Sequence, residues 1–579
     1  MTPMRRPLTA WVCLALLAGL AGCGDRAKPA GPEAPDAGPS PYARVMDGVV
    51  GNYATYVGGA DVVVRGYGLV AGLGDKGSSD TPREIRQRIA AQMTRYGIGR
   101  SSTGTEDITP DRIINDRDTT DVVVSAEIPP GTPKGTRLDA FVSARPGSET
   151  VSLDGGVLYT TELQRFHAEG GRVREGQSVA TVQGEVFVNP FKESQDDDDT
   201  THLLQGRIIG GATSLEQRPI RLVLAHPDYG LAQAVQQAIN EKYPFNPHVA
   251  RAISPSFIDM RIPDKYRHDH ERFLQSLLYV YISRQGVQKE QKVRQLAEEI
   301  LQPAAPYEQI SLVWEVMGRQ VWPVVRPLYT HASPSVSYAA ARAALRQGDE
   351  QAMEVVIVAA RDAAHPHRMD AIRELGRSGE MAAAEALTGM LDSDDAGVRV
   401  AAYEAMSEAG MHGAIEHLII DEGRIEIDVV PTTGKFLIYA SREKRPRIAL
   451  FGPGMQLRRP VFFTAPDDLV TVLARAGDKH LCVYRRVGPD KRLSDPMYIP
   501  YDVKSLVTVL GTRPHKQDDG SYYGLGLTYS QVVGVLYRLC QDGPERRIPA
   551  DFILQRPDQA DRIYAGPEPI SRPDTTDEE

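Results

Sequence analysis

Apolar and polar residues alternate with different periods in three successive parts of the chain. Between residues 45 and 287 the period is mostly two, as in Val122–Ile128, which predicts β-strands with a few helices between them. From 288 to 417 apolar residues recur every three or four positions, which predicts helices. From 418 to 548 short β-rich runs return between glycine and proline turns. At 579 residues, the chain is expected to be a multidomain protein in which an all-α segment separates two α+β domains.

The N-terminal segment follows none of these periods. Two arginines precede an apolar run over residues 8–20, and small residues then lead to Cys23, which together predict a secretory signal over residues 1–22. The run is too short to cross a bilayer comfortably. Cys23 resembles the acylated cysteine of bacterial lipoproteins; the alternative is a plain signal peptide with an incidental cysteine. Residues 23–44 are rich in proline, alanine and glycine, which predicts a disordered tether.

Composition excludes several classes of protein. Hydrophobic residues make up 41% of the chain and charged residues 25%, which is typical of soluble globular domains. The net charge of -10 argues against a nucleic-acid partner. Four cysteines are too few for a disulfide scaffold. In an exported protein Cys482 and Cys540 could form a disulfide or remain two buried thiols, and spacing alone does not decide between these.

A glycine-rich segment follows the first predicted strand, Val62–Val64. Gly66, Gly68 and Gly72 are predicted to lie in a loop, and a helix that buries Ile89 follows. A dinucleotide-binding fingerprint would need that helix to begin at the glycines. Here a further polar loop intervenes, so nucleotide binding is not expected.

Six segments of this half carry a more specific pattern. They are RGYGLVAGLG at 65–74, DVVVSAEIPPGTPKGTR at 121–137, SLDGGVLYTTEL at 152–163, GRIIGG at 206–211, RLVLAHPDYGLAQAVQQAIN at 221–240 and ARAISPSFIDMRIPDKY at 250–266. In this order they resemble the bacterial flagellar P-ring protein family over residues 45–285. The residues that the resemblance marks as family turns are Gly66, Tyr67, Gly68, Gly72, Gly155 and Gly156.

The resemblance implies binding partners and a cellular location. It implies an α+β domain that assembles with copies of itself into a ring, beside the flagellar rod or other basal-body proteins in the periplasm. Exposed strand edges are one route by which copies could join. Each motif glycine could equally be an ordinary backbone turn. Members of that family have a simple cleaved signal, so Cys23 and the extra length of this chain are departures from it.

The middle of the chain carries repeats. Gly318, Gly348, Gly379 and Gly410 end helical stretches at spacings of 30, 31 and 31 residues. The segment from Ala386 to Gly410 resembles a HEAT repeat, with a helix, an acidic turn and a second, alanine-rich helix. Such units bury their apolar faces only against neighbours, which predicts a short solenoid over residues 288–417. The solenoid could dock an unknown protein or act as a rigid spacer, and both alternatives remain open.

The C-terminal part, residues 418–548, is predicted to be an α+β domain with a helix at Tyr529–Cys540, and residues 549–579 an acidic disordered tail. The sequence contains no Walker A loop, no G-x-S-x-G elbow and no H-E-x-x-H helix. We therefore predict neither a cofactor, nor a metal site, nor catalysis.

These patterns predict a structural function. The protein is expected to be a P-ring-like periplasmic ring protein of the flagellar basal body, anchored by a lipid on Cys23. Gly24 rather than aspartate follows that cysteine, which favours the outer membrane. The alternative is a non-flagellar envelope scaffold lipoprotein whose HEAT-like repeats dock a protein partner.

Overall fold

The computed structural model describes residues 41–556 except for short segments at 58–60, 99–108, 170–171, 191–200, 244–247, 264–265, 267–269, 283–285, 414, 466–467, 488–491, 519 and 542–545. The predicted signal peptide, most of the predicted tether and Cys23 lie outside the described residues. So do residues 557–579, which make up most of the predicted acidic tail.

The first module combines a closed sheet with a smaller open one. Its helices are α1 (Pro41–Met46), α2 (Arg83–Arg95), α3 (Pro110–Ile114), α4 (Tyr229–Lys242) and α5 (His270–Leu278). Its strands are β1 (Ala54–Val57), β2 (Val62–Ala71), β3 (Thr119–Ile128), β4 (Arg137–Ala144), β5 (Val157–Glu169), β6 (Arg172–Glu185), β7 (Gln205–Ser214), β8 (Ile220–Leu224), β9 (Ala250–Ala252) and β10 (Phe257–Met260).

Six of these strands close into a barrel in the order β2-β3-β4-β7-β6-β5. Small and branched side chains fill the interior of the barrel. On β3 these are Val122, Val124 and Ala126, which are fully buried. Closure gives every barrel strand two paired neighbours, although β5 and β6 continue as a hairpin to Glu169 and Arg172, beyond their pairing with β2 and β7. Edges remain on the open sheet, whose order is β1-β8-β10-β9 and whose inner face packs on α4 and α5.

The second module is a helical solenoid. Its helices are α6 (Gly286–Glu299), α7 (Tyr307–Met317), α8 (Trp322–Val325), α9 (Pro334–Leu345), α10 (Glu350–Arg361), α11 (Arg368–Ser378), α12 (Met381–Met390) and α13 (Ala396–Glu408). The four repeat glycines all have positive φ, between 69° and 88°, a conformation that glycine adopts without strain at the end of a helix. Alanines such as Ala340 and Ala402 are fully buried and allow neighbouring helices to approach closely.

The described residues of the third module form three sheets, one of them with only two short strands, and two helices. Its strands are β11 (Glu416–Ile420), β12 (Ile425–Val430), β13 (Leu437–Ala440), β14 (Arg447–Phe451), β15 (Val461–Thr464), β16 (Val470–Ala474), β17 (Leu481–Val487), β18 (Arg492–Leu493), β19 (Met497–Ile499), β20 (His515–Lys516), β21 (Tyr522–Tyr523) and β22 (Asp551–Leu554). Its helices are α14 (Val503–Gly511) and α15 (Tyr529–Cys540). The predicted order of an α+β domain, an all-α solenoid and a second α+β domain is therefore confirmed.

The larger C-terminal sheet, β11-β12-β14-β13-β22, lies between two cores. On one face Tyr439 and Phe451 join the core of the solenoid. On the other face Ile438 and Leu450 pack against α14, α15 and the second sheet, which contains β15, β16, β17 and β19. The sheet therefore caps the open end of the solenoid.

Two predicted boundaries need correction. Residues 551–554 were expected in the disordered tail, but they form β22, which pairs in parallel with β13 and completes the sheet. Residues 41–44 were expected in the tether, but they belong to α1. Behind them Val45 and Met46 pack into the solenoid core, and Lys292 donates a 2.6 Å hydrogen bond to the Arg44 carbonyl. In both places the apolar contacts come from elements distant in sequence.

Candidate functional site

The first family glycines lie in a strand, not in the predicted loop. Gly66, Tyr67 and Gly68 are part of β2, which pairs with β3 without interruption. On its other side β2 pairs with β5 across a register shift between Arg65 and Val70. A Cβ on Gly66 would lie within 3.0 Å of the Glu162 carbonyl oxygen, closer than real Cβ atoms come. Glycine is therefore required because β5 crosses β2 at short range.

Helix α2 covers this part of the barrel from outside. Ile89 and Met93 pack on Leu69 of β2, and the half-buried Tyr67 ring lies beside them. The Arg88 guanidinium lies 5.9 Å from the centre of that ring, within the range of a cation–π contact. Tyr67 therefore helps to hold α2 against the barrel.

A buried carboxylate fixes the end of the same helix. Glu162 on β5 accepts hydrogen bonds from Arg95 at 2.5 and 2.6 Å and from Ser178 at 2.9 Å. Burial alone would raise the pKa of Glu162, but the hydrogen bonds from Arg95 and Ser178 outweigh burial and hold the pKa below its usual value. Glu162 follows the predicted Gly-Gly turn, and no pattern in the sequence indicates its role.

The remaining family glycines do form turns, and the fold brings them together. Gly72 has φ of 86° and Gly155 has φ of 83°. A Cβ on Gly72 would lie 3.6 Å from the Gly155 carbonyl oxygen, and one on Gly156 would come within 2.8 Å of Leu73. The Asp118 carboxylate accepts hydrogen bonds from the backbone N–H of Gly72 at 3.2 Å and of Gly74 at 2.6 Å. We call Gly72, Asp118, Gly155 and Gly156 the glycine corner.

The glycine corner faces the C-terminal module. A Cβ on Gly155 would lie 2.6 Å from the side-chain nitrogen of Gln531 on α15. Gln531 is itself held in a capping box with Thr528 at the start of that helix. One family turn therefore contributes to a junction between modules.

The junction continues from α15 to the end of β6. The Glu185 carboxylate accepts hydrogen bonds from the guanidinium of Arg424 and, at 3.2 Å, from the backbone N–H of Tyr529. The Ser530 hydroxyl donates to the Val188 carbonyl at 2.8 Å. The rings of Phe187 and Tyr529 lie 5.5 Å apart. We call this set of contacts the barrel junction.

A second group of charges joins β4 and β7 to the loop after β13. Arg207 forms ion pairs with Asp139 at 3.1 Å and with Glu443 at 3.2 Å. Asp139 also accepts a 3.0 Å hydrogen bond from the backbone N–H of Lys444. The barrel and the C-terminal module are therefore held together at two places.

The solenoid is tied to the first module by buried charges. Arg272 on α5 forms an ion pair with Glu315 on α7. Farther along, Arg346, just after α9, pairs with Glu374 on α11 at 2.6 Å, and Arg342 on α9 lies 3.5 Å from the same carboxylate. Burial would raise the pKa of Glu374, but the neighbouring arginines outweigh it and hold that pKa below the usual value.

At its other end the solenoid meets the large C-terminal sheet through Asp428, which is 1% exposed. The Tyr403 hydroxyl donates to one carboxylate oxygen at 2.5 Å, and the His417 Nδ1 lies 2.5 Å from the other. Each of the three modules is thus joined to the other two.

The two late cysteines are not linked to each other. Cys482 lies on β17 and is partly exposed, whereas Cys540 is buried at the end of α15, and both are free thiols. Burial raises the pKa of both thiols, that of Cys540 to about 12. Of the two sequence-based alternatives, the structure has the free thiols.

The described residues hold no cluster of three or more histidine, cysteine, aspartate or glutamate side chains that could bind a metal ion. None of the helices in the described part of the chain is both long and apolar enough to cross a bilayer. The residues of the P-ring-like motifs have structural positions: they lie in the wall of the barrel or at its contact with the C-terminal module.

Comparison with known proteins identifies two similar families, one for the first module and one for the solenoid. Residues 50–293 match the family model for the flagellar P-ring protein, and residues 322–407 match the model for HEAT repeats. The flagellar P-ring protein of Geobacter sulfurreducens is 30% identical over 224 residues, which cover 37% of this chain and 55% of that protein.

Two further relatives bear the same name. The flagellar P-ring protein of Anaeromyxobacter dehalogenans is 31% identical over 234 residues, covering 38% of this chain and 56% of the relative. That of Thermotoga maritima is 28% identical over 227 residues, covering 38% and 62%. The chain thus spans little more than half the length of the relatives it matches. The predicted fusion of a flagellar P-ring family module to HEAT-like repeats is therefore confirmed, with the module at residues 50–293 and the repeats at 322–407.

Proposed function

We propose that this protein is a structural, non-catalytic component of the bacterial flagellar basal body, a periplasmic P-ring-like protein that forms a ring with copies of itself. The observation that carries the proposal is the match of residues 50–293 to the P-ring family. The glycine corner and the close crossing of β2 and β5 support it, because family-motif residues hold the barrel's shape.

Ring contacts would use the open sheet of the first module. Each barrel strand has two paired neighbours, whereas β1 and β9 are the outer strands of the four-stranded sheet. Val57, on the outer strand β1, is 54% exposed. An outer strand that carries exposed apolar side chains is suited to contact a neighbouring copy.

The proposal includes a lipid on Cys23 that holds the ring at the outer membrane, with residues 23–40 as the tether. A chain acylated at several positions anchors stably, since each buried methylene contributes about 0.8 kcal/mol. Flagellar rod or other basal-body proteins would be the ring's partners.

Deletion of the gene tests the flagellar role. Basal bodies would be imaged by electron cryotomography, with swimming scored in the same strain. Loss of a periplasmic ring and of swimming is the expected result, and intact rings with normal swimming would refute it. Complementation with Cys23→Ser tests the anchor, with Cys13→Ser, inside the predicted signal peptide, as the matched control.

One observation favours a second candidate function. The relatives extend well beyond the matched region, whereas here a solenoid and a further domain follow it. A non-flagellar envelope scaffold, which docks a protein on the HEAT-like repeats, would have that organisation. Intact basal bodies in the deletion strain, together with a specific partner that requires residues 322–407, would favour this alternative.

A further inference from the structure

The second C-terminal sheet exposes an apolar row to solvent. Phe462 on β15 pairs with Leu473 on β16, which pairs with Cys482 on β17, which pairs with Tyr498 on β19. Directly paired residues project from the same side of a sheet, so these four form one continuous row. We call this row the outer apolar face.

The opposite side of the sheet is packed normally. Val472 and Val483, next to the row in sequence, are fully buried in the domain core. By contrast Phe462 is 61% exposed and Tyr498 is 69% exposed. A contiguous apolar row that spans four strands, with an aromatic ring at each end, is a feature of binding surfaces.

The surroundings of the row are basic, although the chain as a whole is acidic. The described part of residues 458–501 contains three aspartates and six lysines and arginines besides Arg485, whose guanidinium donates to the Leu525 carbonyl, while the whole chain has a net charge of -10. Arg475, just after β16, and Arg486, near the end of β17, are both exposed and lie toward opposite ends of the sheet. The face therefore suits an acidic segment that also carries apolar side chains.

Residues 557–579 of this chain have that composition. They contain seven acidic residues and two arginines, with Ile563, Tyr564 and Ile570 between them. These 23 residues could reach about 75 Å when extended. They follow β22 in the same domain, which at its length is only about 35 Å across. The segment is therefore long enough to reach any face of the module.

We infer that residues 557–579 bind the outer apolar face, with their apolar side chains against Phe462 and Tyr498 and their acidic side chains near Arg475 and Arg486. The segment covers the face within its own molecule. This inference is independent of the flagellar role.

Cys482, in the middle of the row, reports whether the face is covered. The rate of its alkylation by a maleimide would be compared between the full chain and a variant that stops after Arg556. Burial raises the pKa of this thiol and slows its reaction, so both proteins are compared at the same near-neutral pH, where maleimides are selective for thiols. A tethered segment at millimolar effective concentration, with a dissociation constant of about 0.1 mM, would slow alkylation about tenfold. The Cys482→Ser variant gives the background from the other cysteines.

Three controls decide the result. A synthetic peptide of residues 557–579 should restore protection to the truncated variant, and a peptide with its acids changed to Asn and Gln should not. In the full chain, Arg475→Glu with Arg486→Glu should accelerate alkylation. Equal rates in the full and truncated chains would overturn the inference. So would protection by the neutral peptide, or protection that rises with protein concentration, which would point to a second copy.

Discussion

The guanidinium of Arg424 binds the carboxylate of Glu185, a residue 239 positions earlier in the chain. Glu185 ends a barrel strand, and Arg424 precedes the first parallel strand pair of the C-terminal module. Arg424 also donates to the carbonyl oxygens of Gly511 at 2.5 Å and Leu527 at 2.7 Å. One side chain therefore links the barrel to two segments of the last module, so the modules form a single body.

Replacing Arg424 should loosen that body. Arg424→Ala would remove the charged donor from the Glu185 carboxylate, which keeps the Tyr529 N–H. It would also remove the Arg424 donor from the Gly511 and Leu527 carbonyl groups. We expect a loss of about 2–3 kcal/mol in the free energy of unfolding. The loss is measured by urea unfolding, with circular dichroism as the signal. The exposed Arg475→Ala is the matched control, and equal midpoints for the two variants would contradict the assigned role.

Gly66→Ala should destabilise the barrel. The new methyl group would meet the Glu162 backbone, which cannot move without separating β5 from β2, so a loss of about 2–3 kcal/mol is expected. Gly389→Ala, on α12, provides the control, because a Cβ there meets nothing within 4 Å. Thermal unfolding of the two variants compares them. A Gly66→Ala protein as stable as the control would show that the close crossing is not needed.

The glycines of the first module show which backbone features the sequence pattern predicts and which it does not. Positive φ at Gly72 and at the repeat glycines follows from local turn chemistry, which one sequence reveals. Gly66 and Gly68 were expected in a loop for the same reason. Their real cause is the approach of β5, which lies about a hundred residues away in sequence, and periodicity carries no information about such contacts.

The contacts between modules could not be predicted from the sequence for a related reason. Glu185, Arg424 and Asp428 look in sequence like ordinary charged residues, and only the packing of three modules brings each to its partner. Residues 551–554 were included in the predicted acidic tail, but they pair with the edge of β13, a contact with a distant segment that no local pattern indicates. The module order, in contrast, follows from period alone and was predictable.

Glu374 should give the protein part of its acid sensitivity. Its pKa is lower in the folded state than in the unfolded chain, so its stabilising contribution is fully present above the unfolded value of about 4.3. That contribution is lost as pH falls through the lowered folded value. Glu374→Gln should therefore lower stability at neutral pH by about 3 kcal/mol and flatten the decline below about pH 4. Urea unfolding between pH 7 and pH 3 tests this, with the exposed Glu385→Gln as control. A decline as steep as in the parent would assign the acid sensitivity to other groups.

The two late thiols should differ in reactivity and remain unlinked. Cys540 is 6% exposed and burial raises its pKa to about 12, so few molecules carry its thiolate at pH 8. Cys482 is partly exposed and should react first, with Cys540 reacting only after denaturation. Mass spectrometry of peptides from unreduced protein, alkylated in stages, distinguishes the two. A peptide pair joined through Cys482 and Cys540 would contradict the structure.

Tyr403 offers a direct test of how the solenoid is joined to the C-terminal sheet. Its ring is 1% exposed, and its hydroxyl donates to the buried carboxylate of Asp428. Tyr403→Phe keeps the ring and removes the donor, leaving Asp428 with His417 at 2.5 Å and Arg447 at 3.6 Å. A buried acceptor that loses one of its donors costs about 1–2 kcal/mol, and this loss should appear in the unfolding midpoint. Tyr229→Phe, at a position 69% exposed, should leave the midpoint unchanged. If the two variants behave alike, packing of the ring rather than the hydrogen bond holds this junction together.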